Sequence, residues 1–330
     1  MPGVAQYNAQ FLSDVLKGLT GSPKWIPSRY FYDAKGDQLF RMIMSMPEYY
    51  LTRAEHEILK HQSRKILNRA TGNKPVQLVE LGAGDGWKTR LLLSELLDSK
   101  VKFEYYPIDI SESSLQLLTA NLEKEFHGRV PVFGIEGDYF EALDSPVLQR
   151  DEPRLILFLG STIGNFQLRE ASDFMCRISQ LMHPGDHLLV GFDLRKHPHT
   201  ILAAYDDSQG ITREFNLNLL KRINRELDAD FNPDQFVHFA VYDPVQAAAK
   251  SYLVSQSDQE VLIGAAGQKL FFKAQEPILT EVSQKFDAMM IQEFASRNGL
   301  TIVESFTDSR GLFADVLFTK NDAAAISCDK

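Results

Sequence analysis

Between residues 76 and 193 the chain alternates short β-rich runs with longer amphipathic stretches. That alternation is the feature that most narrows the fold. Parallel strands need a crossover, and a helix supplies it, so the pattern implies βαβ units in a doubly wound, Rossmann-like α/β sheet. The expected strands are residues 76–81, 102–108, 130–135, 154–159 and 187–192. Helices are expected between them, at 89–97 and at 113–125, where Leu115, Leu117, Leu118 and Leu122 recur at roughly helical spacing.

The flanks do not continue the repeat. The first 70 or so residues read as helices and loops interrupted by Pro23, Pro27 and Pro47. After Asp193 a helix is expected at 211–227, with Phe215, Leu219, Leu220, Ile223 and Leu227 on one stripe. Strand-like runs follow at 236–242, 250–254, 260–263 and 269–272, then a helix at 284–298 and closing strands at 301–306 and 312–318. The closing strands can rejoin the first sheet. This organisation implies a core domain from 56–194 plus 283–320, a discontinuous α+β domain from 1–55 plus 195–282, and a frayed tail at 321–330.

Composition removes several classes of function. At 330 residues, 44% hydrophobic and 24% charged, the chain is neither fibrous nor disordered. A net charge of -9 offers no broad basic field for nucleic acid. Its apolar runs are far shorter than the ~20 residues that span a bilayer, and residues 1–6 lack the charge and apolar run of a signal peptide. Cys176 and Cys328 are too few and too far apart for a disulfide framework or a thiolate metal site. A reduced, cytoplasmic setting and a monomer are the expectation.

The strongest local signal is Val79-Glu80-Leu81-Gly82-Ala83-Gly84-Asp85-Gly86, directly after the first strand. Glycines there let backbone approach a nucleoside closely and present amides at a helix start. A dinucleotide would want G-x-G-x-x-G, but the motif's third glycine, counted from Gly82, would fall on Trp87. An acid on the strand followed by G-x-G instead resembles the first motif of class I S-adenosylmethionine (SAM) methyltransferases. A plain tight turn remains the bland alternative. Asp109, 25 positions after Gly84, ends the second strand, where an acid can accept both ribose hydroxyls. Asp138 follows the third, where a carboxylate can accept an adenine N–H. Each acid alone is more often a turn or cap residue than a ligand; together they converge on the crevice where open α/β sheets bind ligands. The loop at 158–166 contributes Gly160, Ser161 and Thr162 beside the cofactor. Its Asn165 could accept from a substrate amine, or simply belong to a capped turn.

Several stretches together resemble the histidine-specific SAM-dependent methyltransferase family, typified by ergothioneine-pathway enzymes and including fungal enzymes that N-methylate an indole amino acid. They include Arg29-Tyr30-Phe31-Tyr32-Asp33, Met46-Pro47-Glu48-Tyr49-Tyr50 through to Glu55, Leu78-Val79-Glu80-Leu81-Gly82 with Lys88-Thr89-Arg90, and the 158–165 loop. Ala204-Tyr205-Asp206-Asp207, Asn224-Arg225-Glu226-Leu227 and Leu279-Thr280-Glu281-Val282-Ser283-Gln284-Lys285-Phe286 extend the match over nearly the whole chain. The resemblance implies SAM as cofactor, held by Glu80, Gly82, Gly84, Lys88, Asp109, Asp138, Tyr139, Gly160, Ser161 and Thr162. It implies that Tyr49, Asn165 and Tyr205 hold the amino and carboxylate groups of an amino acid and act in catalysis. Tyr32 and Phe40 would line the entrance, while Glu281 and Ser283 would read an imidazole. Ser251 stands where bacterial members carry a Met beside the ring, which leaves room for a modified histidine or a larger aromatic amine.

The Glu281/Ser283 pair also has a physical rationale. In an extended segment residues i and i+2 share a face, so the two point together while Val282 points into the core. A neutral imidazole carries one N–H and one bare nitrogen; a carboxylate takes the first and a hydroxyl serves the second. The alternative is a solvated Glu and a Ser that caps the next helix. His183/His187 and His197/His199 are separated by Pro and Gly and read as surface residues, so no metal is expected. The function implied is Nα-methylation of histidine, up to the trimethyl betaine hercynine. Methylation of another amine, an NAD-dependent oxidoreductase and a non-catalytic SAM-binding module stand as alternatives.

Overall fold

The structure, a computed structural model, describes residues 7–148 and 152–321. The chain divides into two compact units, Met1–Tyr50 with Lys196–Gln284, and Leu51–Arg195 with Lys285–Lys330. In chain order the strands are β1 (Lys24–Trp25), β2 (Val76–Leu81), β3 (Phe103–Asp109), β4 (Ile135–Glu136), β5 (Arg154–Phe158), β6 (His187–Asp193), β7 (Phe236–Asp243), β8 (Ala248–Ser255), β9 (Gln259–Ile263), β10 (Gln268–Phe272), β11 (Pro277–Gln284), β12 (Leu300–Thr307) and β13 (Phe313–Lys320).

The unit that begins at Leu51 is built on a seven-stranded sheet of order β12-β13-β6-β5-β2-β3-β4. From β6 to β4 every pair is parallel, and β13 runs antiparallel to both β6 and β12. Every residue of β2 and β5 is buried, as expected of central parallel strands covered on both faces. Val79, Tyr106, Ile156, Phe158, Val190 and Phe318 pack into one core. The chain winds from β2 out to β4, then returns to lay β5 on the other side of β2. That reversal places a crevice at the carboxyl ends of β2 and β5. The expected strand at 130–135 is reduced to Ile135–Glu136 plus a single bridge from Val132 to Tyr105. Pro107 on β3 explains the break: Phe133 N donates to Tyr105 O, but the next donor along β3 is Pro107, which has no N–H to give to the ladder.

The other unit carries a four-stranded sheet, β1-β11-β8-β7, and a β9-β10 hairpin. β7, β8 and β11 are antiparallel, and β1 joins β11 in parallel. The helix Ile211–Leu227 lays Phe215, Leu219, Leu220, Ile223 and Leu227, the stripe read from sequence, against Phe236, Leu253 and Ile278.

The segment at 277–287 departs from expectation. The helix expected from 284 begins at Ala288, with the Asp287 carboxylate accepting from Met290 N, so Ser283 is not its cap. β11 extends through Gln284 instead. Its register slips between Leu279 and Glu281, and Thr280 Oγ1 lies 2.6 Å from Asn216 Oδ1 and 3.0 Å from Ser251 O. Beyond the slip Ser283 is buried and Val282, expected in the core, is only half-buried.

Among the described residues no helix is long and apolar enough to cross a membrane. Cys176 is buried; Cys328 lies outside the described residues, as does nearly all of the expected tail. His183, His197 and His199 are exposed as expected, but His187 is half-buried and burial lowers its pKa.

Candidate active site

The turn after β2 is tied to β3 by Gly82 N donating to Ile108 O over 2.9 Å. Gly82 and Gly84 hold φ of +72° and +55°, a region costly to other residues. A Cβ on Gly82 would meet the Tyr139 hydroxyl at 2.7 Å, whereas beside Gly84 nothing lies within 4 Å. Asp109, at the end of β3, accepts from Ser111 N over 3.0 Å. Burial raises its pKa, against the pull of the Ser111, Ile110 and Gly84 amides. Burial, with the Asp109 and Asp138 charges adding, pushes the Tyr139 phenol up to about 12. Gly82, Gly84, Asp109 and Tyr139 thus converge at one strand end. Asp138 is exposed and its Oδ1 accepts from Phe140 N over 2.9 Å, so it does act as a helix cap.

Glu80 is buried beneath that turn, with Thr89 Oγ1 donating to Oε1 over 2.5 Å and the Tyr105 hydroxyl donating to Oε2. Burial outweighs those hydrogen bonds and raises its pKa to about 7. In the loop after β5, Ser161 Oγ accepts from Asp193 N over 3.2 Å and Thr162 Oγ1 donates to Leu159 O over 2.8 Å. Those two side chains shape the loop. A Cβ on Gly160 would lie 3.2 Å from Lys88 Nζ, and Asn165 ends the short 3-10 turn Thr162–Asn165, half-buried.

A second cluster lies on β8, β11 and the segment after Ala203. Ser251 stands opposite Glu281 across the two strands, and its Oγ donates to Glu281 Oε2 over 3.3 Å. The Tyr205 hydroxyl donates to Ser283 Oγ over 2.7 Å. In the same unit Tyr32 and Phe40 meet edge to face at 5.5 Å, and Phe40 meets Tyr49 at 6.2 Å. Tyr32 is exposed, while Phe40 and Tyr49 are half-buried.

The first cluster fits a nucleoside with a charged tail. Open backbone at Gly84, an acceptor at Asp109 for vicinal hydroxyls, a ring at Tyr139 and an ammonium at Lys88 are the groups such a ligand needs.

A family model described as histidine-specific, SAM-dependent methyltransferase matches residues 11–320. The chain belongs to this family. The histidine N-alpha-methyltransferase of Mycobacterium tuberculosis is 38% identical over 307 residues, 93% of this chain and 94% of that one. Its namesake in Mycolicibacterium smegmatis is 38% identical over 301 residues, 91% of this chain and 92% of that one. Ergothioneine biosynthesis protein 1 of Schizosaccharomyces pombe is 29% identical over 307 residues, 91% of this chain and 40% of that longer protein. The protein is a SAM-dependent methyltransferase, and its seven-stranded sheet is a Rossmann-like methyltransferase core.

Four buried groups of the methyltransferase core take no role in the sequence reading, although Thr89 and Glu55 lie within the matching stretches. Thr89 and Tyr105 occupy Glu80, while Glu55 and Asp315 lie apart from the glycine turn in sequence. The available signal was an acid on an otherwise apolar surface: Glu55 among Leu51, Ala54, Ile58 and Leu59, and Asp315 inside Phe313-Ala314-Asp315-Val316-Leu317-Phe318.

Proposed function

We propose that this enzyme methylates the α-amino nitrogen of L-histidine, successively, up to the trimethyl betaine. One observation carries the substrate: Ser251 with Glu281, and Tyr205 with Ser283, form two hydrogen-bonded pairs whose polarity matches a neutral imidazole. Glu281, already accepting from Ser251, is oriented as a carboxylate for the ring N–H. Because Tyr205 donates to Ser283 Oγ, the Ser283 proton is the one directed onward, to the bare ring nitrogen. Names of relatives that act on histidine support the same reading.

In this reading the unit with the seven-stranded sheet is the donor-binding domain and the other unit the substrate-binding domain. Asp109 accepts the ribose hydroxyls, Asp138 and Tyr139 hold the adenine, and backbone at Gly82 and Gly84 lies alongside. Lys88 takes the carboxylate, the loop of Gly160, Ser161 and Thr162 closes the site, and Glu80 braces the turn from below. When bound, SAM supplies an electrophilic methyl on a cationic sulfur.

Tyr49, Asn165 and Tyr205 hold the amino and carboxylate groups and aim the nitrogen lone pair, with Tyr32 and Phe40 at the entrance. Their contribution is orientation, which alone can be worth several kcal/mol, on the order of 7 at the low end. The acceptor must be a neutral amine. A nearby positive charge disfavours its ammonium form, so the residues need only orient it and let its proton leave to water. The partner is a small amino acid rather than nucleic acid, and the enzyme acts as a cytoplasmic monomer.

Incubation with SAM and a panel of amino acids, read by mass spectrometry, tests the assignment. Histidine should gain one, two and then three methyls. A panel in which histidine gains none while another amine does would sink it. Ser251, small and buried on β8, favours a second reading in which a modified histidine or a larger aromatic amino acid is the better acceptor, and both belong in the panel.

A further inference from the structure

Glu55 lies on the helix Tyr50–Thr71, its carboxylate only 1% exposed. A buried carboxylate is retained only where hydrogen bonds and an opposite charge repay its lost hydration. Both oxygens are engaged. Oε1 accepts the Gly160 amide over 2.6 Å, and Oε2 accepts the Lys88 ammonium. Gly160 opens the loop after β5 and Lys88 precedes the helix Thr89–Asp98, so one side chain ties together two otherwise separate edges of the donor site.

The surroundings are cut to fit this carboxylate. Gly191, in the middle of β6, has no Cβ, and one built there would lie 2.5 Å from Glu55 Oε1 and 3.1 Å from the Phe313 ring. Asp315, opposite Gly191 on β13, is fully buried, and among the described residues neither of its oxygens has a hydrogen-bond partner. Burial and the Glu55 charge push the Asp315 carboxyl well above the ordinary carboxylate range. Glu55 is the carboxylate that meets the Lys88 ammonium.

We propose that Glu55 is a positioning residue for the methyl donor: it clamps the Lys88 ammonium and the Gly160 amide in a fixed relation, so that the donor meets both ready-placed. This rests on the reading of Lys88 and the Gly160 loop as donor-holding groups. The demand is for two acceptors on one side chain. An amide puts an NH2 donor where one of those oxygens stood, so Glu55→Gln loses the acceptor that faces either Gly160 or Lys88.

Calorimetric titration of the full chain with S-adenosylhomocysteine, for wild type, Glu55→Gln, Lys88→Gln and the double variant, tests this. Glu55→Gln should bind about tenfold more weakly, the scale of one lost charge-assisted hydrogen bond. KM for SAM should rise in step, while kcat at saturating SAM stays within about threefold. The double variant should lose less than the product of the two single losses, because part of what Glu55 does runs through Lys88. Undiminished affinity in folded Glu55→Gln, or losses that multiply in the double variant, would overturn the clamp while leaving Lys88 as a donor ligand. If Lys88→Gln alone binds like wild type, the reading of Lys88 fails and the clamp with it. Should Glu55→Gln not fold, Gly191→Ala perturbs the carboxylate without removing it; weakened binding supports the clamp, and unchanged binding overturns it.

Discussion

Ser251 and Glu281 face each other across β8 and β11, and the serine hydroxyl donates to the carboxylate over 3.3 Å. The slip in register at Thr280 sets up this pairing, so the pair depends on a strand irregularity as well as on residue type. Removing the carboxylate should cost most for substrates with a ring N–H. Glu281→Ala is expected to lower kcat/KM for histidine by about 100-fold, the scale of a lost hydrogen bond to a charge, ~3 kcal/mol. Ser251→Ala should cost only about threefold. Equal losses for histidine and phenylalanine in Glu281→Ala would contradict a role in reading the ring.

Tyr205 serves the same cluster from outside the sheet. Tyr205→Phe removes the donor to Ser283 Oγ and leaves the ring in place. KM for histidine should rise several-fold, and unfolding free energy should drop by about 1 kcal/mol. Affinity for S-adenosylhomocysteine should not move; a parallel loss there would place Tyr205 in the donor site instead.

Gly82 offers a test of the turn that pairs damage with repair. Gly82→Ala brings a methyl to 2.7 Å from the Tyr139 hydroxyl at a positive φ. Weakened cofactor binding and a stability loss of roughly 1–2 kcal/mol should follow, the cost of a left-handed alanine. Adding Tyr139→Phe removes the oxygen in the way but not the backbone strain, so thermal melts should recover in part. Full recovery would mean the strain counts for nothing.

Stability should fall as pH rises past the ordinary carboxylate range. Glu80 titrates near 7 in the folded protein against 4.5 ordinarily, so the unfolded chain ionises first and gains. Its contribution is intact below pH 4.5 and is lost by about pH 7, up to ~3 kcal/mol from that difference in pKa. Asp315 acts in the same direction. Urea midpoints measured at pH 5 and pH 8 should differ less in Glu80→Gln than in wild type. Parallel pH profiles would show that Glu80 does not titrate in this window.

Much of this architecture is legible before any coordinates. The stripe from Phe215 to Leu227 marks its helix, and unbroken apolar runs mark β5 and β6, because burial on one face or on both leaves a direct trace in residue order. β1 is too short at two residues to show a period, and β4 is cut short opposite Pro107 of β3, a cause that lies on the neighbouring strand. β11 mixes Thr280, Glu281, Ser283 and Gln284 with apolar residues because its polar positions serve a cluster as well as a core. Glycines and strand-end acids locate the donor side. The Glu55 bond to Gly160 spans 105 positions, and no local pattern records a contact of that range.

The place of β13 in its sheet has a consequence for synthesis. β6 is complete at Asp193, yet the neighbour that covers its outer edge begins only at Phe313. While the nascent polypeptide emerges, some 120 residues must follow before that edge is sealed, and until then it offers unpaired amides to any passing strand. A ribosome that stalls short of Phe313 would release a chain able to make the glycine turn but not to close the layer beneath it.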